Sequence, residues 1–286
     1  MPSNGGPIAD PATAPRDPAV RAGFRDLLRY LAARYGADPN LFGWTMWIEC
    51  DSVAKSGLAN WHAAMAAHLR SLDPGRHPIS AEFITATGEA DVWALPGIDY
   101  TQLAGYVSGE QVQTFLARAA TLQPFAKPAL IEEYGGKSNA GGVRWTAHLI
   151  HDGLWTGWFM RLAGTPLAWY WQVVFDQGLE RHYRRFAAFI AGADLRGTAW
   201  THRFVPIKGD GTLRALVRSS SERAWVWIHA ADLARLPAVA DYWQRGPGDD
   251  PKRPVGFDPL AADATLHARV LAWRRGMDTA PRRTAK

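Results

Sequence analysis

The sequence predicts an α/β domain, a parallel sheet covered by helices, followed by a small β-rich domain. Three observations predict it. Helical and strand patterns alternate from Asp17 to Ile190, the order that parallel strands with crossover helices require. The strand patterns are short and nearly continuous in apolar residues, as in strands buried on both faces. After Gly192 short alternating segments take over, separated by Gly, Asp, Ser and Pro.

Asp17-Pro18 is an N-cap followed by proline at the first helical position. Val20, Phe24, Leu27, Leu28 and Leu31 then form an apolar stripe at helical spacing, ending near Tyr35-Gly36. Residues 41–48 read as the first strand, 58–72 as a helix with Trp61, Met65 and Leu69 on one side, and 78–84 as the second strand. Pro96-Gly97 opens the third strand, 98–106, and 111–122 is the helix after it. The fourth strand is 129–133, followed by a long helix over 143–162, a fifth strand over 166–174 and an amphipathic helix over 179–190. Residues 200–206, 213–218, 224–229 and 266–273 read as strands of the second domain, 246–254 as a loop, and 276 onward as a disordered basic tail. The predicted divisions are 1–196, 197–275 and 276–286.

A chain of 286 residues with 47% hydrophobic content builds a sizeable core. Its 14 tryptophans exceed what that core needs, so they serve either packing or a groove in which indole faces stack on sugar rings. The net charge of +5 is spread over helix faces, Arg21, Arg25, Arg29 and Arg34 on one and Arg181, Arg184 and Arg185 on another. No nucleic-acid motif accompanies it, so no nucleic-acid partner is expected. Cys50 is the only cysteine, which excludes an internal disulfide and a cysteine metal site. No apolar run spans a bilayer and the first residues carry no signal-peptide pattern, so no membrane partner is expected. His62, His68, His77, His148 and His151 show no ligand spacing with nearby carboxylates, and the Gly135-Gly136 and Gly141-Gly142 pairs fit no phosphate-loop pattern. The expectation is no metal and no cofactor.

Two glutamates carry the chemistry. Glu49 ends the run Leu41-Phe-Gly-Trp-Thr-Met-Trp-Ile-Glu49, and Glu133 ends Lys127-Pro-Ala-Leu-Ile-Glu-Glu133. A carboxylate where a buried strand runs out is partly dry and fixed in direction, and two of them point to acid/base work on a sugar. They lie on the first and fourth strands, and a parallel barrel brings such strand ends to one mouth.

Gly43-Trp44-Thr-Met-Trp-Ile-Glu49 and Pro128-Ala-Leu-Ile-Glu-Glu133-Tyr-Gly resemble the two catalytic motifs of glycoside hydrolase clan A, most closely family 5, the cellulase and mannanase-like enzymes. The resemblance implies a partial (β/α)8 barrel, strands four to eight, with a small β-sandwich-like domain after it. It implies retaining hydrolysis of a β-linked glucan or mannan, with Glu49 as acid/base and Glu133 as nucleophile, the two carboxyls about 5 to 5.5 Å apart. Strand alternation turns Glu132 away from the direction of Glu133. Trp44, Tyr106, Trp169 and Trp171 are the implied substrate-binding aromatics, the last two pointing the same way along the final strand. Carbohydrate is the implied partner.

Three departures accompany the resemblance. The family's Asn before the acid/base is Ile48, its His on strand six is Ala104, and too few residues precede the strand resembling strand four to hold three more units. Asn4-Gly5-Gly6-Pro7 resembles the loop after strand three, so the chain reads as N-terminally truncated, and as secreted if the true start is missing. Exposed barrel edges would then favour self-association. The alternative function is a catalytically impaired carbohydrate-binding or structural remnant of such an enzyme.

Overall fold

The structure is a computed structural model describing residues 8–54, 56–85, 90–106, 110–135, 143–165, 167–169, 171–207 and 213–230. The expected strand at 266–273, the loop at 246–254, the tail from 276 and the Asn4–Pro7 segment lie outside the described residues. The chain divides into two compact units. The first comprises residues up to Ala104 together with Ala117–Glu132, the second Gly105–Leu116 together with residues from Glu133 onward.

In the first unit, α1 (Pro18–Tyr35) starts as its sequence dictates: Asp17 accepts the N–H groups of Ala19 and Val20 at 2.9 and 3.0 Å. Leu28 and Ala32 are buried, while Phe24 meets Trp61 edge-on at 4.7 Å. Leu27, expected in the apolar stripe, is 46% exposed, because it lies about 100° round the helix axis from Leu28. Next come β1 (Trp44–Thr45), α2 (Cys50–Val53), α3 (Leu58–Leu72), β2 (Ile79–Ser80), β3 (Glu82–Phe83), α4 (Ala90–Trp93) and β4 (Thr101–Tyr106). The helix α3 has the bounds that its periodicity predicts, and it buries Trp61, Met65 and Leu69.

The strands are shorter than expected. The first keeps its ladder for one residue beyond β1, Met46 N–H donating to Ser80 at 3.0 Å. The expected 78–84 strand divides at Ala81: Ile79 and Ser80 pair in parallel with Trp44 and Thr45, whereas Glu82 and Phe83 pair in parallel with Gln102 and Leu103. One run of residues thus serves two neighbours. The helix α5 (Gln111–Leu122) again has its predicted bounds, and β5 (Ala129–Gly135) runs two residues beyond expectation. Order in the first unit places β4 between β3 and β5. Its core holds Trp61, Ile79, Phe83, Trp93, Leu103 and Ile131. Trp61 and Trp93 are therefore packing residues, Trp93 lying edge-on to Phe83 and Phe125 at 5.3 Å each.

In the second unit the end of β5 pairs in parallel with β6 (Leu167–Ala168), Glu133 opposite Leu167 and Tyr134 opposite Ala168. Between them runs α6 (Val143–Phe159). The expected fifth strand, 166–174, is corrected: it is β6 followed by α7 (Trp171–Asp176). Trp-Gln-Val-Val-Phe is apolar and β-branched, and in so short a run periodicity does not separate strand from buried helix. After α8 (Glu180–Ile190), β7 (Thr201–Pro206), β8 (Leu213–Ser219) and β9 (Ala224–Ala230) form an antiparallel sheet close to its predicted bounds.

One face of that sheet is fixed to α6. Trp227 is buried against Trp155 and Phe159, His202 bonds the Phe159 carbonyl at 2.9 Å, and Arg218 donates to the Trp158 carbonyl at 2.9 Å. Val226 and Ile228, on the alternate positions of β9, are exposed. No described helix is long and apolar enough to cross a membrane.

Candidate active site

Glu133 lies in the second unit near the end of β5 and is 7% exposed. Tyr106, the last residue of β4, donates its hydroxyl proton to Glu133 Oε1. The next residue, Tyr134, is fully buried and packs edge-on to Phe115 at 5.6 Å. Its ring fits because residue 153 is glycine: a Cβ there would lie 2.4 Å from Tyr134 Cε2. Burial drives the Tyr134 phenol well above its ordinary range, and the nearby Tyr183 and Asp152 push the same way. Side chains alternate along a strand, so a deeply anchored Tyr134 sets the direction of Glu133.

Glu132 has different surroundings. It belongs to the first unit, where its charge acts on Tyr100. Burial is the main cause that raises the Tyr100 phenol; the Thr45 hydrogen bond opposes it, and Glu132 and Asp99 add to it.

Glu49 lies in the first unit, half-buried, just before α2. Its backbone is left-handed, φ 52° and ψ 32°, a region that costs a non-glycine residue about 1–2 kcal/mol. Its N–H donates to Glu82 Oε2 at 2.8 Å, and Glu82 is 1% exposed. The Glu82 N–H donates to the Trp47 carbonyl at 3.2 Å, and the Cys50 thiol to the Glu82 carbonyl at 3.9 Å. Asp51, 3% exposed, accepts from Ile84 N–H at 3.0 Å, Thr85 N–H at 2.9 Å and the Thr85 hydroxyl at 2.8 Å. Residues 47–51 and 82–85 thus hold each other reciprocally.

The expected aromatics have separate placements. Trp44, at the start of β1, donates its indole N–H to Asp73 at 3.2 Å and meets His77 edge-on, so its ring is engaged away from the strand end that leads to Glu49. Burial tends to raise the Asp73 carboxyl, but hydrogen bonds from His77 and Trp44 outweigh it and hold the group below its ordinary value. Trp169 follows β6 and donates its N–H to the Tyr134 carbonyl at 2.9 Å. Trp171 opens α7, so it does not share a strand face with Trp169. Ile48 is 50% exposed, and Ala104 is buried.

No protein-family model and no curated protein sequence matches the chain. Among solved structures it is similar to an endo-β-1,4-mannanase from Thermotoga petrophila, at 14% identity over 78% of this chain and 67% of that one, with a TM-score of 0.43. It is similar to the endo-1,4-β-mannanase of Rhizomucor miehei, at 14% identity over 62% of this chain and 64% of that one, TM-score 0.40. A β-glucuronidase from Bifidobacterium dentium, complexed with coumarin-3-O-glucuronide, is matched at 15% identity over 42% of this chain and 21% of that one, TM-score 0.35. The chain thus spans about a fifth of the glucuronidase. Likeness at this level is loose, and the functional weight rests on the residues.

Sequence reasoning missed a buried polar network in the second unit. His148, read as lacking a nearby carboxylate, bonds Asp152 at 3.1 Å, one helical turn later, and this i,i+4 spacing was the available signal. His229 of β9 bonds the same oxygen at 3.0 Å through Nε2, while its Nδ1 accepts from Arg214 Nε at 3.0 Å. With Nδ1 accepting from Arg214, Nε2 is the ring nitrogen that donates to Asp152. Ligand atoms of Glu110, Asp152 and His229 lie within 4.8 Å of one another. The guanidinium of Arg214, 5% exposed, already supplies positive charge there through Glu110. Burial is the first cause that lowers His148, with Asp152 opposing it.

Proposed function

We propose that the chain is a retaining β-glycoside hydrolase of the clan A, family 5 type, acting on a β-linked glucan or mannan. On this reading its parallel strands correspond to strands four to eight of a (β/α)8 barrel. The observation that carries it is Glu133: a buried carboxylate at the end of a parallel strand, with one oxygen bound by the Tyr106 hydroxyl. A carboxylate only accepts hydrogen bonds when ionised, so the phenol donor favours the anionic form that a nucleophile needs.

In the first step a Glu133 oxygen bonds the anomeric carbon as the glycosidic bond breaks, and protonated Glu49 gives its proton to the departing oxygen. Glu49, now a carboxylate, then takes a proton from water. That water attacks the anomeric carbon, releases Glu133 and restores Glu49. Two inversions leave the product with the starting configuration. Trp169, beside the end of β5, is the aromatic assigned to sugar stacking; Trp44 has no role in the proposal.

A second reading, a carbohydrate-binding chain without turnover, is favoured by one pair of observations. Ile48 and Ala104 put apolar side chains where the resembled family carries Asn and His. Hydrolysis of β-1,4-linked gluco- and manno-oligosaccharides followed by NMR of the anomeric proton separates the two. Retained configuration, lost in Glu133→Ala and Glu49→Ala, supports the enzyme; saccharide binding without hydrolysis supports the second reading.

A further inference from the structure

The turn carrying Glu49 is held by a carboxylate that takes no part in the double displacement. Glu82 grips that turn at three successive points: its N–H on the Trp47 carbonyl, its Oε2 on the Glu49 N–H, and its own carbonyl on the Cys50 thiol. The contact at Glu49 is 2.8 Å long and is made by an oxygen of a side chain only 1% exposed. Asp51 returns the grip through Ile84 and Thr85. Arg118 of α5 feels both acids: burial lowers its guanidinium, and the charges of Asp51 and Glu82 oppose that. The whole assembly lies within the first unit.

A polar clasp of this kind is more than Glu49 needs as a solvated strand-end residue. The left-handed backbone of Glu49 is unfavourable without Cβ-free freedom, and the bond that offsets it is made by that residue's own N–H. Rotation about φ there swings the side chain directly, and a general acid works only within about 2.6–3.2 Å of the atom it protonates.

We propose that Glu82 is a positioning residue for proton transfer, fixing the Glu49 main chain so that its carboxyl reaches the departing oxygen. This rests on the assignment of Glu49 as acid/base. In this role Glu82 acts through the peptide N–H of Glu49.

The test compares kcat/KM, which reports the glycosylation step, on two substrates with the same sugar. One is an unactivated β-linked oligosaccharide whose leaving oxygen needs a proton; the other is a dinitrophenyl β-glycoside whose leaving group departs without one. Glu82→Ala is expected to lose about 10²-fold on the oligosaccharide, the scale of an ångström of misplacement, and to stay close to the unaltered chain on the dinitrophenyl substrate. Glu82→Gln keeps an acceptor oxygen and is expected to fall between them. The ratio of the two losses does not depend on how much of a variant folds, and the isosteric Gln variant covers the case in which the Ala variant does not fold. Equal loss on both substrates, or loss on neither, overturns the inference and leaves the Glu49 assignment standing. Turnover of neither substrate by the unaltered chain overturns that assignment and the inference with it.

Discussion

Tyr106 donates its hydroxyl proton to Oε1 of Glu133, a carboxylate 7% exposed at the end of β5. A hydrogen bond to a charged group contributes about 1.5–3 kcal/mol, so Tyr106→Phe is expected to lower kcat/KM by about 10- to 100-fold. The loss should be alike on activated and unactivated glycosides, because nucleophilic attack serves both. Steady-state kinetics on the two substrates measure it, and an unchanged kcat/KM would remove Tyr106 from the site.

Gly153 leaves room for the Tyr134 ring, with 2.4 Å between a built Cβ and Tyr134 Cε2. Gly153→Ala is therefore expected to destabilise by about 1–3 kcal/mol, the cost of overpacking, although alanine is the better helix former. Because Tyr134 adjoins Glu133, activity should fall with stability. Thermal unfolding read beside kcat checks both, and a stabilised variant would contradict the packing described.

Arg214 is 5% exposed and joins Glu110 to His229. Arg214→Ala removes one partner of a buried ionic network, a change that costs about 3–5 kcal/mol. A urea titration should show the midpoint moved down by a corresponding amount. A loss within experimental scatter would mean that the network does not hold β8 and β9 to α6.

His62 is fully buried, and burial lowers its pKa from 6.5 to about 4, with the Leu58 hydrogen bond opposing. The folded form therefore binds its proton later than the unfolded chain does. Stability from this residue is complete above pH 6.5 and declines as pH falls from 6.5 to about 4, by about 3 kcal/mol in all. His182, lowered to about 4 mainly by burial but only half-buried, adds a smaller effect in the same direction. Denaturant midpoints measured through that window for the unaltered chain and for His62→Gln check it: the variant should show a shallower slope, and identical slopes would exclude His62.

Much of the fold was legible in the sequence where local chemistry and tertiary packing agree. The bounds of α3 and α5 followed from periodicity, α1 from its Asp17-Pro18 start, and β7 to β9 from alternation between turns. In the expected strand over 166–174, Leu167 and Ala168 do pair as β6, whereas the stretch from Trp171 onward was misread, because its apolar and β-branched residues suit strand and buried helix equally and it forms α7. The split of β2 from β3 depends on which neighbour each half pairs with, and no local signal carries that.

The site was legible in part. Glu133 was expected at the end of its strand and Tyr106 was implied by the resemblance; the structure puts Tyr106 last in β4 and Glu133 near the end of β5. Trp44 was read as facing substrate because flanking residues do not reveal that Asp73, 29 positions on, takes its indole N–H. Glu82 was missed for the same reason, its partner Glu49 lying 33 positions away, and His229 meets Asp152 across 77.

The measurement closest to the centre of the proposal is covalent trapping. A dinitrophenyl glycoside fluorinated at carbon two slows hydrolysis of the glycosyl-enzyme, and peptide mass spectrometry then locates the sugar. The prediction is one fluoroglycosyl group per chain, on the peptide bearing Glu133 and absent from Glu133→Ala. Label on another residue, or hydrolysis of the parent glycoside undiminished in Glu133→Ala, would contradict it.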